Sequence, residues 1–581
     1  PAPRPRPPPR RAPRHARRRS ADGRIRQAFF GFGFLATTLT VVLILVAALA
    51  YADLTGDLPP VDEVPVLLDP QAGLLLQPTR LYDRSGEHLL AVLAPSEAPR
   101  TYVPYPAIPP GLVNAVIALN EPHFWESPGY EIEGWQDPSL HPTIAQHLAS
   151  DLLLWDEEPS TRRALRERLL AGQLVAVYGR QQVLEWYLNS ADFGHYAYGV
   201  EAAAQFYFGK PASRLDLSEC AMLAAVAQAP ALNPLDAPQA AEDRRQETLR
   251  TMLALGWITP VEAANEAAHL PVVIASPEPE GPARAFLALV LSQMDSAFGA
   301  GRAGRGGLEI VTTLDYDLQV QAACTVQAEL ARLAGEPDPL AWGTQCTGAR
   351  RLSALPAGLL LPDASASALV LDPRSGQVLA MVGDVRDGGE AAYLSTHPAG
   401  TSLTPFVYLT AFTRGSSPAS LAWDIPGKAE NFDGLYRGPL RLRLALANDI
   451  LPPASRLLDQ LGFDSIRRLS DPFGLAIPPG ADLLQGGFSV SAFELGTAYS
   501  IFAAEGTLAG QALAEDEIRP AAVLTVTGVD HAIWADWTVP ESQAVVSPQL
   551  AYLMTHVLSD ETARWPSLGR GNPLEVDFPA G

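Results

Sequence analysis

Nucleophilic and acid–base chemistry calls for particular side chains at particular spacings, and this chain is sparing with them. Lysine occurs twice, at Lys210 and Lys428, against forty arginines. No Ser-x-x-Lys pair occurs anywhere, so there is no amine one helical turn from a serine to activate its hydroxyl. A phosphate-binding loop and a dinucleotide fingerprint are also absent. The three cysteines, Cys220, Cys324 and Cys346, have spacings that exclude a disulfide framework and a four-ligand zinc site, which leaves a Cys324–Cys346 pair open in an oxidising compartment. Arg163 and Glu167 lie four residues apart on a helical pattern, the spacing of an ion pair worth ~0.3–0.5 kcal/mol.

The elements that must position such residues fall into several units, as 581 residues require. The net charge of −22 is unevenly spread: residues 1–26 carry ten arginines and one acid, while the remainder is acidic and would repel a phosphate backbone, so no nucleic-acid partner is expected. Residues 28–52 carry no charge, a length that crosses a ~30 Å hydrocarbon core at 1.5 Å per residue. Arginines before the span and acids after it place the N-terminus in the cytoplasm and everything from Asp53 onward outside, a single-pass membrane protein. A cleaved signal peptide is the alternative.

Residues 53–78 are punctuated by proline and predict a stalk. Helical periodicity dominates 109–268, most clearly over 161–177, which Ser160 is placed to cap. Gly- and Pro-rich stretches over 275–283 and 298–307 predict a flexible connection. Beyond it, residues 367–384 form two apolar runs around a Pro-Arg-Ser-Gly turn, a hairpin signal, and helical stretches at 405–412 and 491–504 make this unit mixed.

Several runs in order resemble one family. IPPGLVNAVIALNEPHFWESPG (108–129), RQQVLEWYLNSADFGHYAYGVEAAAQFYFGK (180–210), ALVLDPRSGQVLAMVGD (368–384), PAGTSLTPFVYLTAF (398–412) and SVSAFELGTAYSIFAAEGT (489–507) resemble the bifunctional class A penicillin-binding proteins. The resemblance implies an α+β multidomain chain. Its parts are a basic cytoplasmic arm (1–27), a transmembrane helix (28–52), a stalk (53–78), a mainly α, lysozyme-like glycosyltransferase family 51 domain (79–270), a linker (271–307) and an incomplete α/β, serine β-lactamase-like transpeptidase domain (308–581).

It also implies which residues should react, and many are substituted. In the glycosyltransferase, a glutamate takes the proton from an acceptor sugar hydroxyl, which attacks the anomeric carbon of a lipid-diphosphate-linked glycan with inversion. The matching position here is Asn120, and an amide cannot act as a base. Glu121 lies one residue on, rotated by roughly 100° if the segment is helical. Ser127 stands where the family has histidine, Pro142 replaces a serine, and Ala164 replaces a lysine. Glu121 and Glu167 remain as candidate catalytic residues, with Gln146, Arg163, Arg180 and Asn189 as candidate substrate ligands, and the carboxylates are expected to share a groove with Gln146, Arg163 and Arg180.

In the transpeptidase, Thr401 stands at the nucleophile and Thr404 at the lysine. The S-x-N element reads Asp449-Ile450-Leu451, and the K-T-G strand is missing where the chain stops at DFPAG, which suggests a piece of a longer reading frame. Arginine bias accounts for Arg180, but not for Thr404, Ala164 or Asn120. No cofactor is expected, although the resemblance admits a divalent cation. Expected partners are lipid II or a nascent glycan strand, the membrane, and other wall-synthesis proteins. The functions left open are a catalytically impaired scaffold or regulator of peptidoglycan synthesis, an active glycosyltransferase beside an inactive transpeptidase, and an unrelated anchored binding protein.

Overall fold

The computed structural model describes residues 21–95, 100–274, 283–336, 346–356, 358–383, 396–514, 517–572 and 574–575. Most of the basic arm, residues 275–282 of the expected linker and the terminal DFPAG lie outside the described residues. The first helix, Ala21–Thr55, contains at Thr37–Thr55 a stretch long and apolar enough to cross a membrane, and its side chains, such as Leu43 and Leu49, are exposed.

Among the described residues three large hydrophobic cores follow, beside a small cluster of Ala328, Cys346 and Ala349. The largest, between Val64 and Ile258, is built by helices. Pro110–Asn120 packs on Leu217–Gln228, and Ile144–Leu152 packs on both Thr161–Tyr178 and Arg180–Ser190. Ser160 caps Thr161–Tyr178 by accepting from the Arg163 amide at 3.1 Å. A second core, between Ala399 and Val557, gathers around the almost wholly buried Thr404–Thr413 helix. The third lies beneath a five-stranded sheet, in spatial order Ile533–Asp536, Val523–Gly528, Leu308–Thr312, Thr79–Tyr82, Leu89–Leu93, with only the Thr79–Tyr82 and Leu308–Thr312 pair parallel.

This sheet corrects the expected boundaries. The hairpin at 79–93, read with the helical unit, pairs with strands more than two hundred residues later, and Leu81 and Leu93 enter the third core. Residues 284–307, read as linker, form the helices Arg284–Phe298 and Arg302–Arg305, with Phe286, Leu289, Val290 and Met294 in that same core. The 53–78 stalk is packed down: Val64, Leu68, Leu75 and Leu76 enter the helical core, and Asp57 pairs with the buried Arg166.

Between the units, Arg302 lies over the rings of Trp155 (5.1 Å) and Trp534 (4.4 Å), one from each side. Arg305 reaches Asp151 at 2.9 Å, and Arg100 donates to the carbonyls of Leu75 (3.1 Å) and Gly304 (2.8 Å). The chain passes so close here that a Cβ on Gly306, at φ +103°, would stand 2.4 Å from the Gln77 carbonyl oxygen. Cys324 and Cys346 form a disulfide.

Candidate functional site

The candidate site of the helical unit is assembled on the first turn of Ile144–Leu152. Thr143 starts it: its Oγ1 accepts from the Gln146 amide at 3.1 Å and donates to the Gly129 carbonyl at 2.7 Å. Gly129, at φ +94°, brings the preceding loop against Val175 where any side chain would collide. Glu121 is the C-cap of Pro110–Asn120, and its Oε2 accepts from the Ile144 amide at 3.1 Å. The other oxygen, Oε1, is buried without a hydrogen-bond partner. Burial pushes the Glu121 carboxyl above the usual carboxylate range, opposed by the Ser127 hydroxyl and the Ile144 amide.

Gln146 links this end to the second carboxylate. Its Oε1 accepts from the Glu131 amide at 2.9 Å, and its Nε2 donates to Glu167 Oε1 at 2.7 Å. Glu167 Oε2 is held by His141 Nδ1 at 2.7 Å, and Glu167 is only 1% exposed. Arg168 comes within 4.0 Å of Glu167, but its guanidinium donates to the carbonyls of Ala164 (2.8 Å) and Glu131 (2.7 Å). His147 lies beside His141 with ring centroids 5.3 Å apart, and burial lowers its pKa. Among the described residues no group of three or more His, Cys, Asp or Glu side chains could hold a metal ion.

The second candidate site lies at the start of the Thr404–Thr413 helix. Thr401 sits in the preceding 3₁₀ turn, Gly400–Leu403, and Thr404 Oγ1 donates back to the Thr401 carbonyl at 2.9 Å. Asp449, in the left-handed region at φ +52°, hydrogen-bonds the Thr401 side chain, and burial raises its carboxyl. Tyr499 donates to the Ser402 carbonyl at 2.7 Å, while the Tyr408 hydroxyl is buried without a partner. Lys428 pairs with Asp459 at 2.7 Å and Lys210 with Glu219 at 2.6 Å, both in ion pairs away from Thr401, so no amine reaches it.

The transglycosylase family model matches residues 86–253, the stretch that holds the Glu121–Glu167 network. Penicillin-binding protein 1A of Aquifex aeolicus is 29% identical over 518 residues, 74% of this chain and 70% of the relative. Along most of its length the chain is similar to class A penicillin-binding proteins. The protein 1A of Pseudomonas aeruginosa is 25% identical over 541 residues, and penicillin-binding protein 1F of Bacillus subtilis 25% over 525. These cover 74% and 85% of this chain, which spans 65% and 67% of their own lengths. The solved protein 1A of Haemophilus influenzae aligns over 84% of this chain and 80% of its own, at 20% identity and a TM-score of 0.44.

Within this chain the candidate residues divide. Glu121, Gln146 and Glu167 meet on one helix start, and Arg180 lies close enough for its charge to act on Glu121 while donating to the Ser127 carbonyl at 2.8 Å. Arg163 is directed elsewhere, to Ser150 Oγ (2.9 Å) and the Leu154 carbonyl (3.1 Å), so neither the shared groove nor the ion pair with Glu167 includes it. Asn189 is corrected too: its amide donates to the carbonyls of Val103 and Glu185 and accepts from the Val103 amide, which spends it on holding an extended segment. Asn120, at the base position, donates to the Val116 carbonyl at 2.9 Å within its own helix. Sequence reasoning missed His141; a histidine before Pro142 in a degenerate motif was the available signal, but its partner lies 26 residues away.

Proposed function

We propose that this protein serves peptidoglycan synthesis as a catalytically impaired class A member, a membrane-held scaffold whose transpeptidase unit is silent and whose helical unit still takes a lipid-diphosphate-linked glycan, lipid II or a nascent strand, with slow turnover at most. The carrying observation is the contrast between the two sites: Thr401 has a carboxylic acid and no amine beside it, whereas Glu121 and Glu167 remain joined to one helix start through Ile144 and Gln146. The apolar Thr37–Thr55 span preceded by the arginine arm supports single-pass anchoring with the bulk outside, where the Cys324–Cys346 disulfide would persist. Other wall-synthesis proteins are the partners that a scaffold implies.

The second reading, an altogether silent scaffold, is favoured by one observation, the turning of Asn120 back onto its own helix. Labelled lipid-linked disaccharide-peptide offered to the purified full chain in detergent separates them. Binding with slow glycan polymerisation is the expected result. Binding without any polymer supports the silent scaffold, and no binding at all overturns both.

A further inference from the structure

Transfer to a sugar hydroxyl needs a proton acceptor, and none of the expected groups can supply one without rearrangement. Asn120 is an amide with its donor committed to Val116. Glu121 is 5% exposed, with one oxygen tied to the Ile144 amide and the other sealed in. Glu167 is more enclosed still, with each oxygen occupied by a short bond, to Gln146 and to His141. His141 is a basic group of this network that stays open to solvent, with a side chain 20% exposed.

The carboxylate beside it decides how this imidazole is set. A carboxylate accepts and does not donate, so in the neutral imidazole the 2.7 Å bond places the proton on Nδ1 and leaves the lone pair on Nε2. Among the described residues Nε2 has no hydrogen-bond partner. Pro142 disfavours a helical backbone at residue 141, ahead of the Thr143 cap. Charged and titratable groups reach this imidazole from two helices: Glu167, with Arg168 behind it, from Thr161–Tyr178, and His147, with Asp151 beyond, from Ile144–Leu152.

We infer that His141 Nε2 is the proton acceptor of the helical unit's site, with Glu167 as its positioning residue. The inference rests on the reading that this site takes a lipid-diphosphate-linked glycan. The acceptor hydroxyl oxygen bonds to the donor's anomeric carbon, the bond from that carbon to the diphosphate oxygen breaks with its electron pair going to the diphosphate, and the hydroxyl proton passes to Nε2, from which water removes it.

Polymerisation of labelled lipid-linked disaccharide-peptide is compared for the wild-type chain, His141→Ala, His141→Gln and Glu167→Gln. His141→Gln keeps a donor toward Glu167 while lacking a base, so a loss there is not a loss of fold. Both His141 variants should lose about 100-fold or more in kcat with KM within twofold, and added imidazole should restore part of the His141→Ala rate. Glu167→Gln should lose about tenfold and release the tautomer, seen as a change in the ¹⁵N signals of His141. Wild-type polymerisation with undiminished His141→Gln activity overturns the assignment alone. A wild-type chain that binds the lipid but never extends it overturns the assignment and leaves only the silent scaffold. A His141 found with its neutral proton on Nε2 overturns the assignment whatever the rate.

Discussion

The two candidate sites of this chain hold their polar groups in different ways. In the helical unit the substitutions fall on Asn120, Ser127, Pro142 and Ala164, yet the groups that remain are bonded to one another across three elements: Glu121 to Ile144, Gln146 to Glu131 and Glu167, Glu167 to His141. Around Thr401 the polar groups that remain bond mainly to nearby backbone, Thr404 to the Thr401 carbonyl and Tyr499 to the Ser402 carbonyl, and a buried tyrosine hydroxyl at 408 has no partner. Loss of one residue from a connected network leaves a charged core that still orders its surroundings. Around Thr401 there is no amine to take the hydroxyl proton, and the group beside it is the Asp449 carboxyl, which burial raises.

Penicillin draws the contrast most sharply. No covalent band should form with a fluorescent penicillin; one that survives boiling in detergent and disappears in Thr401→Ala would show that the second site works. Stability is the next measure. Gln146→Leu strands the Glu131 amide and one oxygen of Glu167, and should cost about 3 kcal/mol in denaturant unfolding of the helical unit. A cost near zero would mean that the network is not connected as described.

The matching change in the second unit, Thr404→Val, removes one bond to a neighbouring carbonyl and should cost about 1 kcal/mol or less. A cost equal to that of Gln146→Leu would erase the distinction between the sites. Smallest is a pH effect on which they agree. Burial raises the carboxyls of Glu121 and Asp449, so over the window between the unfolded value, ~4, and the folded one the native state binds more protons than the unfolded chain. Each therefore lowers stability as pH rises through that window, and the slope should shrink in Glu121→Gln and in Asp449→Asn. A melting temperature whose pH dependence is unchanged in both variants would contradict the burial.

The amino-acid sequence by itself determined the local features. The uncharged span, the helix opening at Ser160, the hairpin around residues 373–376 and the helical stretch near 491–504 follow from periodicity and turn chemistry, which act over a few residues. It also settled which family residues are missing. Tertiary structure alone decided where the surviving groups are directed. The hairpin at 79–93 finds its sheet at 308–312, the stalk finds the helical core, and Arg163 and Asn189 are taken by carbonyls that no motif records. His141 acquires its meaning from Glu167, and Glu121 from an amide 23 residues on. A periodic pattern states which face of an element must be covered. It does not state which element covers it, and a buried polar group takes whichever partner the packed chain brings within hydrogen-bond reach.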